Sequence, residues 1–354
     1  MPARRTIWIL KDNRAGDLAQ MRHLLRVLSQ SDVGTDWIAD EKQLLFQPGA
    51  RPTPARTWKL LDPAASGLGP PWPHVLLATE KIATWIGAAL KQKSVGASKL
   101  VVLGRMAGDP GPCDLVLATP QFAAPSRQTV MLPVPLAPAP TTTSQSRSLL
   151  REAMAGRPRP WTLWAIGGSV PPDRLDEASI DGLVQAVAAH ANGDRGTALV
   201  FTSPRTGKGI ANSLRTRLPP NGVLYEWNNG GQPNLFPAAL AEVDRIVVTS
   251  DSISMAAEAI DCGKPVALYR LPQSNTLAPR LGHALVSGRC VPRLAGPLLR
   301  RGIIEIPPDR QAFFSTLIAQ GWLADFPAFP APTGEPPLRR AERLAVEAVR
   351  MLFA

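Results

Sequence analysis

Residues 245–259 read RIVVTSDSISMAAEA, and residues 263–266 read GKPV. A largely apolar run leads into a turn rich in hydroxyl groups, the turn leads directly into a helical pattern, and a second apolar run follows. Runs that are apolar at nearly every position are typical of strands covered on both faces, as in parallel sheets. The segment therefore predicts a β-α-β unit, the building block of an α/β fold.

Short apolar runs of the same kind recur along the whole chain. They lie at residues 6–10, 74–79, 99–104, 114–118, 161–166, 197–202, 223–227, 245–249 and 265–269. Segments with apolar residues at helical spacing separate several of these runs. The sequence therefore predicts an α/β protein in which the β-α-β pattern is laid down twice, in two parallel sheets.

The chain has 354 residues, more than the roughly 250–300 residues that one hydrophobic core usually serves. Segment 133–160 is rich in Pro, Thr and Ser and reads as a linker that holds a short helix at about 146–155. We therefore predict a first domain over residues 1–157 and a second over 158–335. A final helix is predicted within 336–354, where apolar residues recur at helical spacing.

Charge favours an anionic partner, because 39 basic residues outnumber 28 acidic ones and the net charge is +11. The basic residues are scattered without interleaved aromatic residues, which argues against nucleic acid. Three distant cysteines and four unclustered histidines predict neither a disulfide framework nor a zinc site, and indicate a reducing compartment.

Membrane and export signals are weak. No apolar run approaches the ~20 residues that span a bilayer, and the first apolar stretch, Ile7–Leu10, is too short for a signal peptide. We expect a cytoplasmic protein whose contact with a membrane, if it has one, is peripheral on the inner face.

The loop after the first predicted strand is a candidate part of a binding cleft, because ligands of parallel sheets bind at the carboxyl ends of the strands. Gly16 allows a tight turn, and Asp17 stands where the N-cap of the next helix belongs. Two interpretations of Asp17 remain open: it caps the helix, or it faces the cleft as a base. Its cleft-loop neighbours are Asn13, Arg14, Gly16 and Gln20.

Two further strand ends carry residues suited to an anion. Gly167, Gly168 and Ser169 follow one strand, and glycines there let backbone N–H groups approach a phosphate closely. The next strand is followed by hydroxyl and cationic side chains, namely Ser203, Arg205, Thr206 and Lys208. A P-loop NTPase is rejected, since no Ser or Thr follows Lys208 to hold magnesium.

The start of the helix after residue 249 is the strongest candidate site. Free N–H groups and a partial positive charge at a helix N-terminus favour a diphosphate. Ser252 and Ser254 add hydroxyl groups, and Glu258 follows Ser254 by one turn on roughly the same face. A carboxylate there could accept hydrogen bonds from both hydroxyls of a ribose, whereas the alternative is a capped helix with Glu258 in a salt bridge.

These segments resemble the donor half of GT-B glycosyltransferases and, more closely, the Elm-type mitochondrial fission protein family with its bacterial candidate glycosyltransferases. The resemblance rests on Arg14-Ala15-Gly16 with Gln20, Asp114-Leu115-Val116 with Thr119-Pro120-Gln121, Gly167-Gly168, Thr202-Ser203 with Arg205-Thr206, and Thr249 to Glu258 with Gly263-Lys264-Pro265-Val266. It covers most of residues 6–270. The chain departs from the family after its second apolar run, where Thr79-Glu80-Lys81 stands in place of a Gly-Arg pair.

The resemblance implies a GT-B fold, with two Rossmann-like parallel-sheet domains that face a cleft and a C-terminal helix that crosses back to the first. It implies a nucleotide-sugar donor as substrate, no cofactor and no metal, and Asp17 as the base. The implied donor residues are Gly167, Gly168, Ser169, Ser203, Arg205, Thr206, Lys208, Ser250, Asp251, Ser252, Ser254, Met255 and Glu258.

The surplus of basic residues suits an envelope glycan or a lipid-linked molecule as the acceptor. Arginines of the final helix are candidates for contact with anionic lipid, although a solvated charged face is the simpler interpretation. Two other functions stay open at this point. One is a non-catalytic adaptor of the mitochondrial-fission-factor type, and the other is a nucleotide-sugar epimerase of the same fold.

Overall fold

The computed structural model describes residues 3–11, 15–31, 34–49, 56–104, 111–122, 127–227, 233–274 and 308–354. The chain forms two compact units. Unit 1 comprises Met1–Ala137, Ala278–Asp309 and Leu338–Ala354, and unit 2 comprises Pro138–Leu277 and Arg310–Pro337. The chain thus first leaves unit 1 at 137–138, ahead of the domain boundary predicted near residue 157.

Unit 1 is built on a parallel six-stranded sheet. Its elements are β1 (Ala3–Lys11), α1 (Ala15–Ser31), β2 (Thr35–Gln43), α2 (Thr57–Leu60), β3 (Val75–Thr79), α3 (Glu80–Lys93), β4 (Lys99–Leu103), β5 (Leu115–Ala118), a 3-10 helix (Pro120–Phe122), β6 (Thr129–Met131) and α10 (Pro337–Met351). The strand order is β2-β1-β3-β4-β5-β6, and every neighbouring pair runs parallel. Strands β3 and β5 are almost entirely apolar and fully buried, as expected for a sheet covered on both faces.

Helix α10 packs on unit 1 through an apolar stripe. Leu338, Ala341 and Ala345 are buried on this stripe, and their spacing of three or four residues keeps them on one helical face. Next to the stripe, Nε2 of His23 in α1 lies 2.7 Å from Oε1 of Glu342, and both side chains are largely buried. The predicted return of the final helix to the first half of the chain is thereby confirmed.

Unit 2 repeats this architecture. Its elements are α4 (Ser144–Ala153), β7 (Trp161–Ile166), α5 (Glu177–Gly193), β8 (Thr197–Thr202), α6 (Lys208–Arg217), β9 (Gly222–Tyr225), α7 (Phe236–Glu242), β10 (Arg245–Thr249), α8 (Ile253–Asp261), β11 (Val266–Tyr269), α9 (Arg310–Ala319) and β12 (Ala324–Asp325). The strand order is β12-β11-β10-β7-β8-β9, and all pairs are parallel.

All nine predicted strands are confirmed, with ends that differ by a few residues. Among the residues that the structure describes, three strands were not predicted from the sequence, namely β2, β6 and β12. Within the described part of the chain, no helix is both long and apolar enough to cross a bilayer.

Candidate functional site

The order of strands in unit 2 creates a switch point between β7 and β10. These two strands pair directly, with Val248 beside Ala165. From β7 the chain continues to β8 on one side, and from β10 it continues to β11 on the other. Ligands of open α/β sheets bind outside the carboxyl ends of the strands at such a point. The segments that follow β7, β8 and β10 hold most of the residues predicted to bind the donor.

Helix α8 begins at this edge with its N-terminus uncapped. Ser252 occupies the N-cap position in an extended conformation, with φ of −121° and ψ of 99°, and its side chain makes no capping hydrogen bond. The N–H groups of the first helical turn therefore have no side-chain acceptor from the cap residue. Ser252 itself is buried, whereas Ser254 is exposed and Met255 is half-buried. This end of α8 offers several donors and a partial positive charge to an anion.

Glu258 lies one turn into α8, and its surroundings are unusual for a carboxylate. Burial raises its pKa from an ordinary value of 4.5 to about 7. Among the described residues, no hydrogen bond or ion pair reaches its side chain, so the predicted alternative of a structural salt bridge does not apply. A desolvated carboxylate without a partner has unused hydrogen-bonding capacity for the hydroxyl groups of a ligand.

Asp251 lies inside the protein at the centre of this edge. Its side chain has no exposed surface. Oδ2 accepts a hydrogen bond from the N–H of Gly168 at 2.8 Å, and Oδ1 accepts one from the hydroxyl of Thr249 at 2.7 Å. Desolvation nonetheless raises the pKa of this carboxyl group against the opposing effects of these bonds and of Arg205.

The two glycines after β7 are required by this packing. A Cβ atom on Gly167 would lie 2.0 Å from Oδ2 of Asp251, and a Cβ atom on Gly168 would lie 2.4 Å from the carbonyl oxygen of Arg205. The N–H of Gly167 donates to the hydroxyl of Thr249 at 2.9 Å. Both amides predicted to hold a diphosphate thus already donate to internal acceptors.

Hydroxyl groups predicted to contact the donor also close local turns. Ser169 exchanges two hydrogen bonds of 2.8 Å with the backbone of Leu175. The hydroxyl of Thr206 accepts from the N–H of Ser203 at 2.9 Å and donates to the carbonyl oxygen of Ile166 at 3.1 Å. Ser250 accepts from the N–H of Leu271 at 3.0 Å. In this structure these side chains shape the edge of the sheet.

Two cations lie at the same edge with surface available to a ligand. The side chain of Arg205 is half-exposed, and its Nη2 lies 3.4 Å from Oδ2 of Asp251. Lys208 is exposed at the first position of α6. Arg205 and Lys208 therefore remain the candidates for balancing a negative charge.

In unit 1, the structure corrects the prediction for the loop after β1. Helix α1 begins at Ala15, so Gly16 is helical rather than part of a turn and Asp17 lies within the first helical turn rather than at the N-cap. A carboxylate in a first turn is still favoured by the helix dipole. Gln20 lies one turn further along α1 and is half-buried. Asn13 and Arg14 lie outside the described residues.

Two aromatic residues near the end of β9, Tyr225 and Trp227, differ in their surroundings. Tyr225 stacks on Phe201 with ring centroids 4.6 Å apart, as a core residue does. Trp227 is 44% exposed, and its backbone N–H donates to the hydroxyl of Thr202 at 2.8 Å, which holds this part of the chain beside the end of β8. From the sequence alone, Tyr225 and Trp227 were equal candidates for stacking on a nucleobase or for packing in the core, and the burial that distinguishes them shows only in the structure.

Two Rossmann-like units with fully parallel six-stranded sheets, and a terminal helix that rejoins the first, define the GT-B class of α/β proteins. The model of the mitochondrial fission ELM1 family matches residues 15–301, and the chain belongs to that family. A segment of 71 residues is 37% identical to the mitochondrial fission protein ELM1 of Arabidopsis thaliana. This segment is 20% of the chain and spans only 16% of the plant protein.

Solved structures share the fold over nearly the whole chain. The UDP-GlcNAc 2-epimerase of Methanocaldococcus jannaschii matches with a TM-score of 0.51 and 11% identity, over 99% of both chains. A candidate UDP-N-acetylglucosamine 2-epimerase of Listeria monocytogenes matches with a TM-score of 0.50 and 10% identity, over 99% of this chain and 97% of that one. At identities this low, the structural similarity shows a common fold alone.

Proposed function

We propose that unit 2 binds a nucleotide-sugar and that the protein is a metal-independent glycosyltransferase. The proposal rests on one observation: α8 begins without a side-chain cap, and the buried carboxyl group of Glu258 lies about one turn further along the same helix. A diphosphate at the helix start would meet N–H donors and a positive partial charge. A ribose beside it would find in Glu258 an acceptor for two hydroxyl groups.

Charge balance supports the same ligand class. Breaking the bond between a sugar and a diphosphate places additional negative charge on the leaving diphosphate. The start of α8 and the exposed cations Arg205 and Lys208 lie at the edge of the sheet where that charge would develop. Preorganised donors and cations stabilise developing charge without reorganising during the reaction.

The base of the reaction is assigned to Asp17 by the family resemblance. In this proposal, the acceptor hydroxyl gives its proton to Asp17 as its oxygen bonds to the anomeric carbon, and the diphosphate departs with the electrons of the broken bond. The proposed acceptor is an envelope glycan or a lipid-linked molecule. The net charge of +11 favours a protein that works beside an anionic surface, and we propose that this surface is the cytoplasmic face of a membrane.

Calorimetry tests the donor site directly. We expect UDP, GDP or ADP to bind without added metal, and Glu258→Ala to weaken binding of that nucleotide at least tenfold, because the ribose loses a charged acceptor worth about 1.5–3 kcal/mol. Glu347→Ala, at an exposed carboxylate of α10, is the matched control and should bind as the wild type does. If none of these nucleotides binds at millimolar concentration, the donor-site proposal is wrong.

Product analysis separates the proposal from its alternatives. A transferase releases the nucleoside diphosphate and joins the sugar to an acceptor or to water. An epimerase returns a nucleotide-sugar with one inverted carbon and needs no acceptor. An adaptor binds without turnover.

A further inference from the structure

We infer that Asp251 does not touch the donor but positions the cation that does, Arg205. This inference rests on the proposed function and assigns a separate task to one residue of its site. Asp251 directly precedes Ser252, the N-cap residue of α8. Its carboxylate is therefore adjacent in the chain to the proposed diphosphate site, while its own oxygens face the protein.

Direct contact between Asp251 and a ligand is ruled out by burial. The side chain has no exposed surface, and its oxygens are engaged by the N–H of Gly168 and the hydroxyl of Thr249. Gly167 leaves just enough space for this carboxylate, since a Cβ atom there would overlap it. A side chain held this tightly acts on a ligand only through its partners.

Arg205 is the partner that reaches outward. Its guanidinium lies 3.4 Å from Oδ2 of Asp251, yet half of the side chain is exposed. Its backbone is fixed as well, because its N–H donates to the hydroxyl of Ser203 at 3.2 Å and its carbonyl packs against Gly168. The buried carboxylate thus anchors one side of a planar cation whose other side remains available to a phosphate.

Neutralising Asp251 should change diphosphate affinity in opposite directions, depending on whether the carboxylate positions Arg205 or only repels the ligand. A buried carboxylate without a positioning role would only repel a diphosphate, so its neutralisation would tighten binding. A carboxylate that anchors Arg205 removes the cost of ordering a long side chain on binding. Its neutralisation would then weaken diphosphate binding, by about tenfold if most of that ordering cost returns.

The test compares Asp251→Asn, Arg205→Ala and the double variant with the wild type. Asparagine keeps the shape of the side chain and an acceptor for Gly168 while it removes the charge. Affinities for inorganic pyrophosphate, UDP and uridine are measured by calorimetry or NMR titration. We expect Asp251→Asn to weaken pyrophosphate and UDP binding about tenfold, to leave uridine binding unchanged, and to cause no further loss in the Arg205→Ala background.

Other outcomes overturn the inference. If Asp251→Asn binds diphosphate as tightly as the wild type or more tightly, the inference is wrong while the proposed function stands. An equal loss of uridine affinity also contradicts the inference, because it indicates general damage to the fold. If Asp251→Asn does not fold, the test rests on Arg205→Ala, which should leave the core intact because the side chain is half-exposed. Unchanged pyrophosphate affinity in Arg205→Ala would then exclude Arg205 as the cation that contacts the diphosphate, and with it the positioning role of Asp251. A wild-type protein that binds neither pyrophosphate nor a nucleotide overturns the proposed function and this inference together.

Discussion

The carboxylate of Asp251 fills the space that a side chain on Gly167 would need, with Oδ2 only 2.0 Å from the position of a Cβ atom. Gly167→Ala therefore forces the carboxylate away from Gly168 and Thr249, which it bridges. We predict that the free energy of unfolding falls by about 2–3 kcal/mol, at the upper end of the usual cost of overpacking. Urea denaturation measures the change.

Gly193→Ala is the matched control for that substitution. Gly193 is exposed near the end of α5, and a Cβ atom there would meet no other atom within 4 Å. Alanine in place of glycine in a helix stabilises it slightly. Equal stabilities for Gly167→Ala and Gly193→Ala would show that the carboxylate does not occupy this position in solution.

Glu258 makes stability depend on pH in a defined direction. Its pKa in the folded protein is about 7 rather than 4.5, because burial disfavours the charged form. The folded protein therefore binds more protons than the unfolded chain between these two values, and stability falls as pH rises through them. We predict that Glu258→Gln stabilises the protein by on the order of 2–3 kcal/mol at pH 8 and by almost nothing at pH 4.

Denaturation at the two pH values measures this difference, with Glu347→Gln as the control on an exposed carboxylate. A gain from Glu258→Gln of the same size at both pH values would mean that the carboxylate is not desolvated. The same substitution should weaken nucleotide binding, so stability and affinity are expected to move in opposite directions at pH 8.

The buried strands were predictable from the sequence because burial on both faces makes them apolar at nearly every position, as in β5 with the sequence LVLA. The strand β2 was missed for the opposite reason: it lies at the edge of its sheet, and its sequence TDWIADEKQ is mostly polar. Strands β6 and β12 have three and two residues and are too short to show a pattern.

The residue types of the candidate site and their positions at strand ends were predicted from the sequence. The hydrogen bonds that these residues make with one another were not. The sequence predicted Gly167, Gly168 and Asp251 as donor contacts, whereas the structure shows the Asp251 carboxylate hydrogen-bonded to Gly168 and packed against Gly167. Whether a backbone amide donates to an internal carboxylate or to a ligand depends on differences of a few tenths of an ångström in the positions of strands that are distant in sequence. Spacing along the chain does not carry that information, whereas the position of Glu258 one turn into α8 follows directly from helical periodicity.

Among the described residues of unit 2, Trp227 is an exposed aromatic residue beside the end of β8, and we propose that a nucleobase stacks on it. The residue is 44% exposed, and it follows the carboxyl end of β9, a neighbour of β8 in the sheet. Stacking of a base on an aromatic ring contributes about 1–3 kcal/mol. We predict that Trp227→Ala weakens UDP or GDP binding at least fivefold and leaves pyrophosphate binding unchanged, as measured by calorimetry. A loss for pyrophosphate of the same size would place the effect in the fold instead.

The proposed role of Asp17 as the general base is tested by its effect on turnover. It lies in the first turn of α1, at the carboxyl end of β1, where a parallel sheet presents its ligands. Removal of a general base typically costs about 10²–10⁴-fold in rate. We therefore predict that Asp17→Asn reduces release of the nucleoside diphosphate from a nucleotide-sugar by about that factor and leaves its affinity within twofold of the wild type.

The measurement is a single-turnover assay of nucleotide-sugar cleavage, run beside an equilibrium titration with the nucleoside diphosphate. Asp181→Asn, at an exposed carboxylate of α5 that pairs with Arg217, is the control and should match the wild type in both. The two proposed roles predict different phenotypes for residues in different units. Loss of the base in Asp17→Asn should slow turnover at normal affinity, whereas loss of the ribose acceptor in Glu258→Ala should weaken nucleotide binding. Cleavage that is unaffected by Asp17→Asn removes this residue from the reaction, and a wild type that binds the donor but never cleaves it is an adaptor.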